Sequence, residues 1–192
     1  HGMWTDIDNR HVVYEYNIST NNNGDGIKHE ISYDCAIRNN VGFGNHHDPH
    51  KSPPWGSFIL VQNSANCDVY GNRGEVSNYC EPTDAEWQDC SVRGNGIYVL
   101  EQTRLNLDGE NYYGEDNTVH RNKVIFKHSY TAMRTCSPNG TYEFVEDLTR
   151  SSGRCGSTNP DNIFDFNLYQ TPYLYANHFG SATSWHKFRA KG

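Results

Sequence analysis

Two carboxylates occupy the same place in two similar segments of the chain. The segment GMWTDID (2–8) is followed by GIKHEIS (26–32), and both run glycine, apolar, large, small or polar, carboxylate, isoleucine, polar. This alignment matches Asp6 with Glu30. A repeated unit needs its apolar positions to build a core, but it has no structural need for a carboxylate. The pair is therefore the first candidate for chemistry.

The chemistry that suits such a pair is acid–base cleavage of a glycosidic bond. Two carboxylates held close together repel each other, which raises the pKa of one of them in a partly shielded groove. One protonated acid and one ionised base are the two groups that glycoside cleavage requires. Direct neighbours such as Asp6 and Glu30 are near the short spacing of retaining enzymes, whereas Asp8 and Glu30 are further apart. We predict Asp6, Glu30 and Asp8, with Lys28 beside them, as catalytic residues.

The same face carries residues suited to a sugar polymer. Trp4 and Tyr98 offer flat apolar rings that pack on sugars, and His1 reaches the same face. Lys28 and Arg104 suit the carboxylate of an acidic sugar, Arg104 through a bidentate pairing. In a lyase, Lys28 or Arg104 would instead remove the proton next to a uronate carboxylate, and the acidic residues would hold Ca²⁺. No other cofactor is predicted.

A second recurring phrase indicates the elements that position these residues. VVYEYNI (12–18), CAIRNNV (35–41), CDVYGNR (67–73) and NTVHRNK (117–123) each have asparagine at the sixth place, and DNIFDFNLY (161–169) adds a fifth. The asparagines are Asn17, Asn40, Asn72, Asn122 and Asn167.

Each phrase follows a strand-like segment, and the shortest repeat of about 23 residues predicts one coil of a parallel β-helix. Coils stack at the strand spacing of about 4.8 Å, so equivalent residues form ladders. The asparagines are expected to bond to the turn backbone and to each other. Cys35 and Cys67 are equivalent and inward, either as a disulfide or as stacked thiols.

Strand alternation assigns each side chain a direction. The inward set is predicted as Met3, Thr5, Ile7, Ile27, His29, Ile31, Phe58, Leu60, Ile97 and Val99. The outward set is predicted as Trp4, Asp6, Asp8, Lys28, Glu30, Ser32, Ile59, Val61, Asn63, Tyr98, Leu100 and Gln102. His29 is expected to be a hydrogen-bonded core histidine rather than a catalyst.

These segments resemble the right-handed parallel β-helix repeat proteins of the pectin-lyase-like superfamily. The resemblance is carried by GMWTDIDN, GIKHEISYDCAIRNN, SFILVQNSANCDVYGN and GIYVLEQTR, and by the closing NIFDFNLYQTPY and SWHKFRAKG. It implies an all-β, right-handed solenoid of four to five coils. That superfamily includes lyases, hydrolases, epimerases and non-catalytic spikes, so the resemblance indicates the fold rather than the activity.

We expect one domain over residues 1–192, interpreted as a piece of a longer or processed protein. Loop insertions wall a groove beside one sheet, where substrate specificity resides. The insertions are predicted at about 45–55, 74–94, 104–116 and 129–160, with a post-helix segment at 161–192.

Cysteine usage favours a secreted protein. The six cysteines form no C-x-x-C motif, which is typical of disulfides in an oxidising environment, with free buried thiols as the alternative. Cys80–Cys90 and Cys136–Cys155 would each close one insertion. Asn139 in NGT is the better of two glycosylation sequons.

A histidine-rich segment, NHHDPHKSP (45–53), is a weak metal candidate. Its ligands would be His46, His47, Asp48 and His50. A solvated, proline-rich turn is the favoured interpretation. DPH is also similar to the Asp-Pro-His of alginate-type C5-epimerases, but Lys51 follows where an acidic residue is expected.

Charge and hydropathy limit the partners. The net charge is −7 with 16 Lys and Arg and no basic stripe, which argues against nucleic acid. No apolar run reaches the roughly 18–20 residues of a membrane span.

The sequence predicts no oligomeric state. The leading prediction is a secreted protein acting on polysaccharide, with a hydrolase favoured because carboxylates outnumber cations on the face. A lyase or C5-epimerase acting on uronate polymers, and a non-catalytic glycan-binding or structural β-helix, are the alternatives.

Overall fold

The chain forms a parallel β-solenoid. The computed structural model describes residues 1–45, 56–76, 95–102, 104–126, 145–148, 162–170, 175–178 and 181–184. These residues form strands and turns without a helix, which confirms the all-β prediction. Three five-stranded sheets contain parallel pairs only, and the chain visits the sheets in the same order five times.

Each visit adds three short strands, which we call a coil. Coil 1 contains β1 (Met3–Asp6), β2 (Val13–Glu15) and β3 (Ile18–Thr20); coil 2 contains β4 (Ile27–Glu30), β5 (Ala36–Arg38) and β6 (Val41–Phe43). Coil 3 contains β7 (Ser57–Gln62), β8 (Asp68–Tyr70) and β9 (Arg73–Val76); coil 4 contains β10 (Asn95–Leu100), β11 (Thr118–His120) and β12 (Lys123–Phe126). Coil 5 contains β13 (Val145–Leu148), β14 (Ile163–Asp165) and β15 (Leu168–Gln170), and β16 (Tyr175–His178) and β17 (Ser181–Ser184) then form an antiparallel pair.

The predicted asparagine ladder is confirmed from Asn17 to Asn167. The Nδ2 of Asn40 donates to Asn72 Oδ1 at 3.0 Å, and Asn72 Nδ2 donates to Asn122 Oδ1 at 2.9 Å. Asn17 and Asn167 continue the ladder at its two ends. Each receiving Oδ1 also accepts the backbone N–H of the preceding asparagine. The ladder therefore satisfies polar groups that the buried turns would otherwise strand.

The predicted direction of side chains in β7 was wrong by one residue. Ile59 and Val61 pair with the inward Ile27 and His29 and belong to the core cluster, whereas Leu60 pairs with Lys28 in the outward row. Phe58 is also buried in the core. Simple alternation from Phe58 therefore predicts Leu60 as inward and Ile59 as outward.

Phe58 breaks the alternation because two glycines make room for its ring. Gly42 and Gly74 are register partners on β6 and β9, and a Cβ on either one would collide with the Phe58 ring. Phe58 and Ile59 therefore both contribute to the core although they are consecutive in one strand.

Ile7 and Ile31 are turn residues rather than the core residues we predicted. Both have positive φ, at 58° and 49°, and Ile7 is 61% exposed. A β-branched residue is a true outlier in this left-handed region. The chain turns sharply there, directly after Asp6 and Glu30.

Cys35 and Cys67 form a disulfide between neighbouring coils, with a Cα–Cα distance of 4.4 Å. The two residues follow equivalent turns in coils 2 and 3, so the ladder brings their side chains together inside the solenoid. Among the residues that the structure describes, there is no helix with the length and hydrophobicity of a membrane span.

The C-terminal strands form a fifth coil, within the four to five coils that the sequence predicts. β13 lies within the predicted insertion 129–160 and pairs with β10, while β14 and β15 of the predicted post-helix segment 161–192 pair with β11 and β12. The fifth coil therefore includes the segment around Asn167. The predicted insertions at 45–55 and 74–94 fall largely outside the described residues.

Candidate active site

Asp6 and Glu30 lie at the ends of adjacent parallel strands. They are direct register partners in the β1–β4 pair, as the sequence repeat predicts. The backbone of Ile7 and Ile31 then enters the left-handed region, so the chain leaves the sheet immediately after each carboxylate. The same left-handed conformation recurs at other turns of the solenoid, such as Tyr16, Asn39 and Arg121, so it belongs to the turns of the coil. The two carboxylates thus share one edge of the first sheet.

Two donors hold the carboxylate of Glu30. Lys28 Nζ lies 2.5 Å from Glu30 Oε2, and the indole Nε1 of Trp4 donates to the same oxygen at 3.1 Å. Lys28 and Glu30 are two positions apart on one strand and therefore share a face. Trp4 is the register partner of Lys28, and the Lys28 Nζ lies 5.0 Å from the Trp4 ring centroid. Both contacts use Oε2.

Burial separates the members of this cluster. Lys28 and Glu30 are buried, at 4% and 5% exposure, whereas Asp6 is exposed and Trp4 is half exposed. A buried ion pair of this kind is costly to break, because removal of one partner leaves an uncompensated charge. Lys28 and Glu30 therefore form the fixed part of the site, and Asp6 and Trp4 form its accessible part.

The environment of Asp6 favours its protonated form. Partial burial, followed by the negative charge of Glu30, raises the pKa of Asp6 above its ordinary value. Lys28, the N–H of Ile7 and Arg104 act in the opposite direction but do not cancel the rise. A raised pKa beside a fixed carboxylate is the direction of shift that a general acid needs.

Trp4 and His1 form the aromatic part of the face. Their ring centroids are 5.2 Å apart, and His1 is anchored because its Nδ1 lies 2.9 Å from the buried carboxylate of Asp25. Asp25 Oδ1 also accepts the N–H groups of Gly56 and Ser57 at 2.8 and 2.7 Å. Asp25 thereby links the start of coil 1 to the start of coil 3.

Tyr98 does not belong to the accessible face. It lies in the outward row of Trp4 and Lys28 but has no exposed surface. Its ring therefore offers no face to a sugar, which corrects the predicted binding role.

Asp8 and Arg104 flank the carboxylate pair. Asp8 lies past the turn and accepts a hydrogen bond from Tyr112 Oη at 3.0 Å. Arg104 is exposed, and its Nη2 donates to Gln102 Oε1 at 3.3 Å. Its charge reaches Asp6, since it lowers the pKa of that carboxyl group. The segment 104–116 of coil 4 thus returns to the first coil, as expected of a loop that walls the face.

Two residues of the site were missed from the sequence. Tyr112 was overlooked because only the folded loop brings it to Asp8. Gln62 is the register partner of Glu30, and the correct alternation of β7 would have placed it in the carboxylate row. It is fully buried, its Nε2 donates to Gln102 Oε1 at 3.1 Å, and its Oε1 accepts no hydrogen bond from the described residues.

Several predicted features lie outside the described residues. These are His46, His47, Asp48 and His50, the pairs Cys80–Cys90 and Cys136–Cys155, and Asn139. They remain predictions. Asp6, Asp8 and Glu30 are the predicted carboxylates that the structure describes.

Comparison with known proteins adds no identification. No protein-family model matches the chain, and neither a curated protein nor a solved structure matches it.

Proposed function

We propose that this protein is a secreted glycoside hydrolase that cleaves a polysaccharide at the Asp6–Glu30 pair. The observation that carries this proposal is the register pairing of an exposed carboxyl group, whose pKa is raised, with a fixed carboxylate. This asymmetry is what separates an acid from a base in glycoside cleavage. The proposed architecture is the right-handed parallel β-helix of the pectin-lyase-like superfamily, for which the three parallel sheets are the support.

Each residue has a proposed role. Asp6 donates a proton to the leaving oxygen of the glycosidic bond, and Glu30 presents Oε1 to the anomeric carbon. Adjacent strands are about 4.8 Å apart, which is close to the roughly 5–5.5 Å between carboxyl groups in retaining enzymes. Lys28 and the Trp4 indole position Glu30 through Oε2. The exposed part of the Trp4 ring packs on a sugar.

The buried position of Lys28 argues against its use as the base of a lyase. Its ammonium group already pairs with Glu30 at 2.5 Å. To act as a base, Lys28 would first have to leave this ion pair and lose its proton. Arg104 remains as the cation that meets an acidic sugar, and no role for Ca²⁺ follows from this arrangement. A lyase or epimerase at the same face would need Arg104 or a further group as its base.

A second candidate is a glycan-binding solenoid without catalysis. It is favoured by one observation: Glu30 is nearly buried, while the exposed Trp4 ring lies beside His1. In this case Trp4 contacts the glycan, and the carboxylate cluster serves only to hold the ring.

The test compares sugar release with binding. Asp6→Asn and Glu30→Gln remove the charges with little change of shape. We expect each to lower the release of reducing ends by about 10²–10⁴-fold, while binding in affinity electrophoresis is retained. Glu15→Gln is the matched control, because Glu15 also ends a strand of coil 1 but pairs with Arg38 on the second sheet.

The outcomes separate the candidates. Release that is unchanged in both site variants would refute the proposed hydrolase. If the wild type releases no sugar and Trp4→Ala loses glycan binding, the glycan-binding solenoid is supported. A product that absorbs in the ultraviolet would identify a lyase.

Acid catalysis by Asp6 also gives the reaction a defined pH dependence. Cleavage needs the protonated form, so the rate falls as the pH rises through the pKa of Asp6. Removal of the Glu30 charge takes away one cause of the raised pKa. The residual activity of Glu30→Gln should therefore fall at a lower pH than that of the wild type.

Secretion is part of the proposal. The Cys35–Cys67 disulfide supports it, because disulfides persist mainly in oxidising compartments.

A further inference from the structure

The segment 104–112 forms a hairpin, which we call the 104–112 hairpin. The N–H of Asn106 donates to Glu110 O at 2.7 Å, and the N–H of Gly109 donates to Asn106 O at 3.1 Å. The Asn106 side chain closes the turn, since its Oδ1 accepts the N–H groups of Asp108 and Glu110 at 2.9 and 2.8 Å. The hairpin therefore keeps its own shape, and its place on the solenoid depends on where it is attached.

Asn63 attaches the hairpin to coil 3. Its Oδ1 accepts the N–H of Gln102 at 3.0 Å, and its Nδ2 donates to Tyr112 O at 2.9 Å. Asn63 is buried and follows Gln62, so it holds in coil 3 the turn position that Ile31 holds in coil 2. These bonds join the solenoid to the chain just before the hairpin and to its last residue. They hold the base of the hairpin.

The side chain of Tyr112 attaches the hairpin to coil 1. Its Oη donates to Asp8 Oδ1 at 3.0 Å, and its ring centroid lies 6.1 Å from that of Tyr33 on coil 2. Burial, followed by the hydrogen bond to Asp8, raises the pKa of Tyr112 above its ordinary value. The phenol therefore keeps its proton near pH 7 and remains the donor. A hydrogen bond to a carboxylate is stronger than one between neutral groups.

Tyr112 is also bonded to the backbone of Arg104. Its N–H donates to Arg104 O at 2.8 Å across the hairpin. Arg104 is exposed, and its charge acts on Asp6. Burial and then Glu30 raise the pKa of Asp6, whereas Lys28 and Arg104 are charges that lower it. Lys28 and Glu30 are fixed by one strand, but the place of Arg104 follows that of the hairpin.

We propose that Asp8 is a positioning residue, which holds Tyr112 and thereby keeps the Arg104 guanidinium beside Asp6. The sequence predicts Asp8 as a catalytic carboxylate, but in this role it takes no part in proton transfer. Among the described residues, the Tyr112–Asp8 bond is the hydrogen bond that joins the hairpin to coil 1. Its loss leaves the hairpin attached at Asn63. The anchor is independent of the proposed hydrolase, and the inference rests on that function only for its kinetic test.

Nuclear magnetic resonance of the whole chain, with its disulfides intact, tests the anchor without a substrate. In the wild type, we expect backbone order parameters of about 0.85 for the hairpin amides, as in rigid segments. Asp8→Ala and Tyr112→Phe should lower them to about 0.6 or less. Asp8→Ala should also lose the proton contacts between the Tyr112 and Tyr33 rings.

Two variants serve as references for this measurement. Asp8→Asn keeps an oxygen that accepts the Tyr112 hydroxyl, so its order parameters should stay closer to those of the wild type. Tyr16→Phe is the matched control, because Tyr16 is an exposed tyrosine at another turn of coil 1. It should leave the hairpin amides unchanged.

The titration of Asp6 tests whether the anchor acts on the site. Arg104→Gln removes the Arg104 charge and should raise the pKa of Asp6, measured from the signal of its carboxyl carbon. Tyr112→Phe changes no charge, yet it should raise the pKa of Asp6 as well, because Arg104 no longer stays beside it. The double variant should show no further rise over Arg104→Gln alone. A tyrosine that only packed against the solenoid would not produce this non-additive pattern.

Kinetics on the polysaccharide from which the wild type releases sugar separates the two roles of Asp8. If Asp8 anchors the hairpin, Asp8→Ala should lose kcat/KM mainly through a raised KM, since Arg104 is a proposed contact of the substrate. Asp8→Asn should recover most of this loss. A catalytic carboxylate would instead lose about 10²–10⁴-fold in kcat in both variants. If the wild type releases no sugar, the proposed hydrolase fails, while the order parameters and the Asp6 titration still decide the anchor.

Three results would overturn the proposal. The first is a set of hairpin order parameters in Asp8→Ala that equals the wild type. The second is a pKa of Asp6 that does not respond to Tyr112→Phe. The third is a kcat of Asp8→Asn about 10²-fold or more below the wild type. Far-UV circular dichroism shows whether each variant keeps its strands, and if Asp8→Ala does not fold, Tyr112→Phe decides because it retains the ring.

Discussion

The asparagine ladder makes a quantitative prediction at its central residue, Asn72. Its Nδ2 donates to Ile37 O at 2.8 Å and to Asn122 Oδ1 at 2.9 Å. Its Oδ1 accepts the N–H and the Nδ2 of Asn40, at 2.9 and 3.0 Å. Asn72→Ala removes all four bonds in a region without solvent. At about 1 kcal/mol for each bond, we expect the free energy of unfolding to fall by about 4 kcal/mol.

Asn17 is the matched control at the first rung of the ladder. Its side chain donates one of these bonds, to Asn40 Oδ1 at 3.1 Å, and its backbone N–H bond to the same oxygen survives substitution. Asn17→Ala should therefore cost about 1 kcal/mol. Urea unfolding of the two variants, with disulfides intact, measures the difference. If both variants lose a similar free energy of unfolding, the number of side-chain hydrogen bonds does not determine the contribution of each asparagine.

Two further predictions concern the core. In the disulfide-bonded chain, the pKa of His29 is lowered to about 4 in the folded state, against about 6.5 when unfolded. The unfolded state therefore binds the extra proton between these values, and stability should fall by about 3 kcal/mol as the pH drops from 6.5 to 4. His29→Gln should lose this dependence in pH-dependent urea unfolding, and a slope equal to that of wild type would contradict it. Gly42→Ala places a methyl group against the Phe58 ring and should cost about 1–3 kcal/mol; thermal unfolding should show partial recovery in the Gly42→Ala/Phe58→Leu double variant.

The fold could be predicted from the sequence because its strongest signals are local and repeated. The asparagine that recurs in each phrase predicted the ladder as far as Asn167, and the alignment of Asp6 with Glu30 predicted their register. Both signals arise because a stacked coil needs the same turn at the same place each time. The disulfide between Cys35 and Cys67 followed from the same equivalence, although the sequence left stacked thiols as an alternative.

The errors arose where a side chain departs from simple alternation. Phe58 and Ile59 both point inward although they are consecutive in β7. Gly42 and Gly74, on β6 and β9, leave the space for the Phe58 ring. The sequence of β7 alone does not indicate this space. The apolar side chain of Ile7 and its place in the alternation predict a core residue, whereas its left-handed backbone makes it an exposed turn residue. β13 lies more than ten residues before the next asparagine phrase, at 161–169. The sequence pattern therefore places β13 in an insertion.

The site was only partly predictable, since burial depends on residues far apart in sequence. Alternation placed Lys28, Glu30 and Tyr98 on the outward face, and a solenoid surface is usually solvated. All three are buried, and the Lys28 ammonium pairs with the Glu30 carboxylate. The contact between Asp8 and Tyr112 joins residues from coils 1 and 4, and no local pattern indicates it.

The register also supplies an argument for function at the carboxylate pair. The row that begins with Asp6 and Glu30 continues as Gln62 in coil 3 and Leu100 in coil 4, so the coil accepts an amide or an apolar residue at this place. The carboxylates are therefore not required by the architecture. Burial and then the charge of Glu30 raise the pKa of Asp6, and Glu30 forms a buried ion pair with Lys28. An amide in place of Glu30 would remove the charge that acts on Asp6 and the charge that needs Lys28 as its partner. A fold that could avoid these costs, but retains them at one edge of one sheet, is best explained by a use for the two carboxylates together.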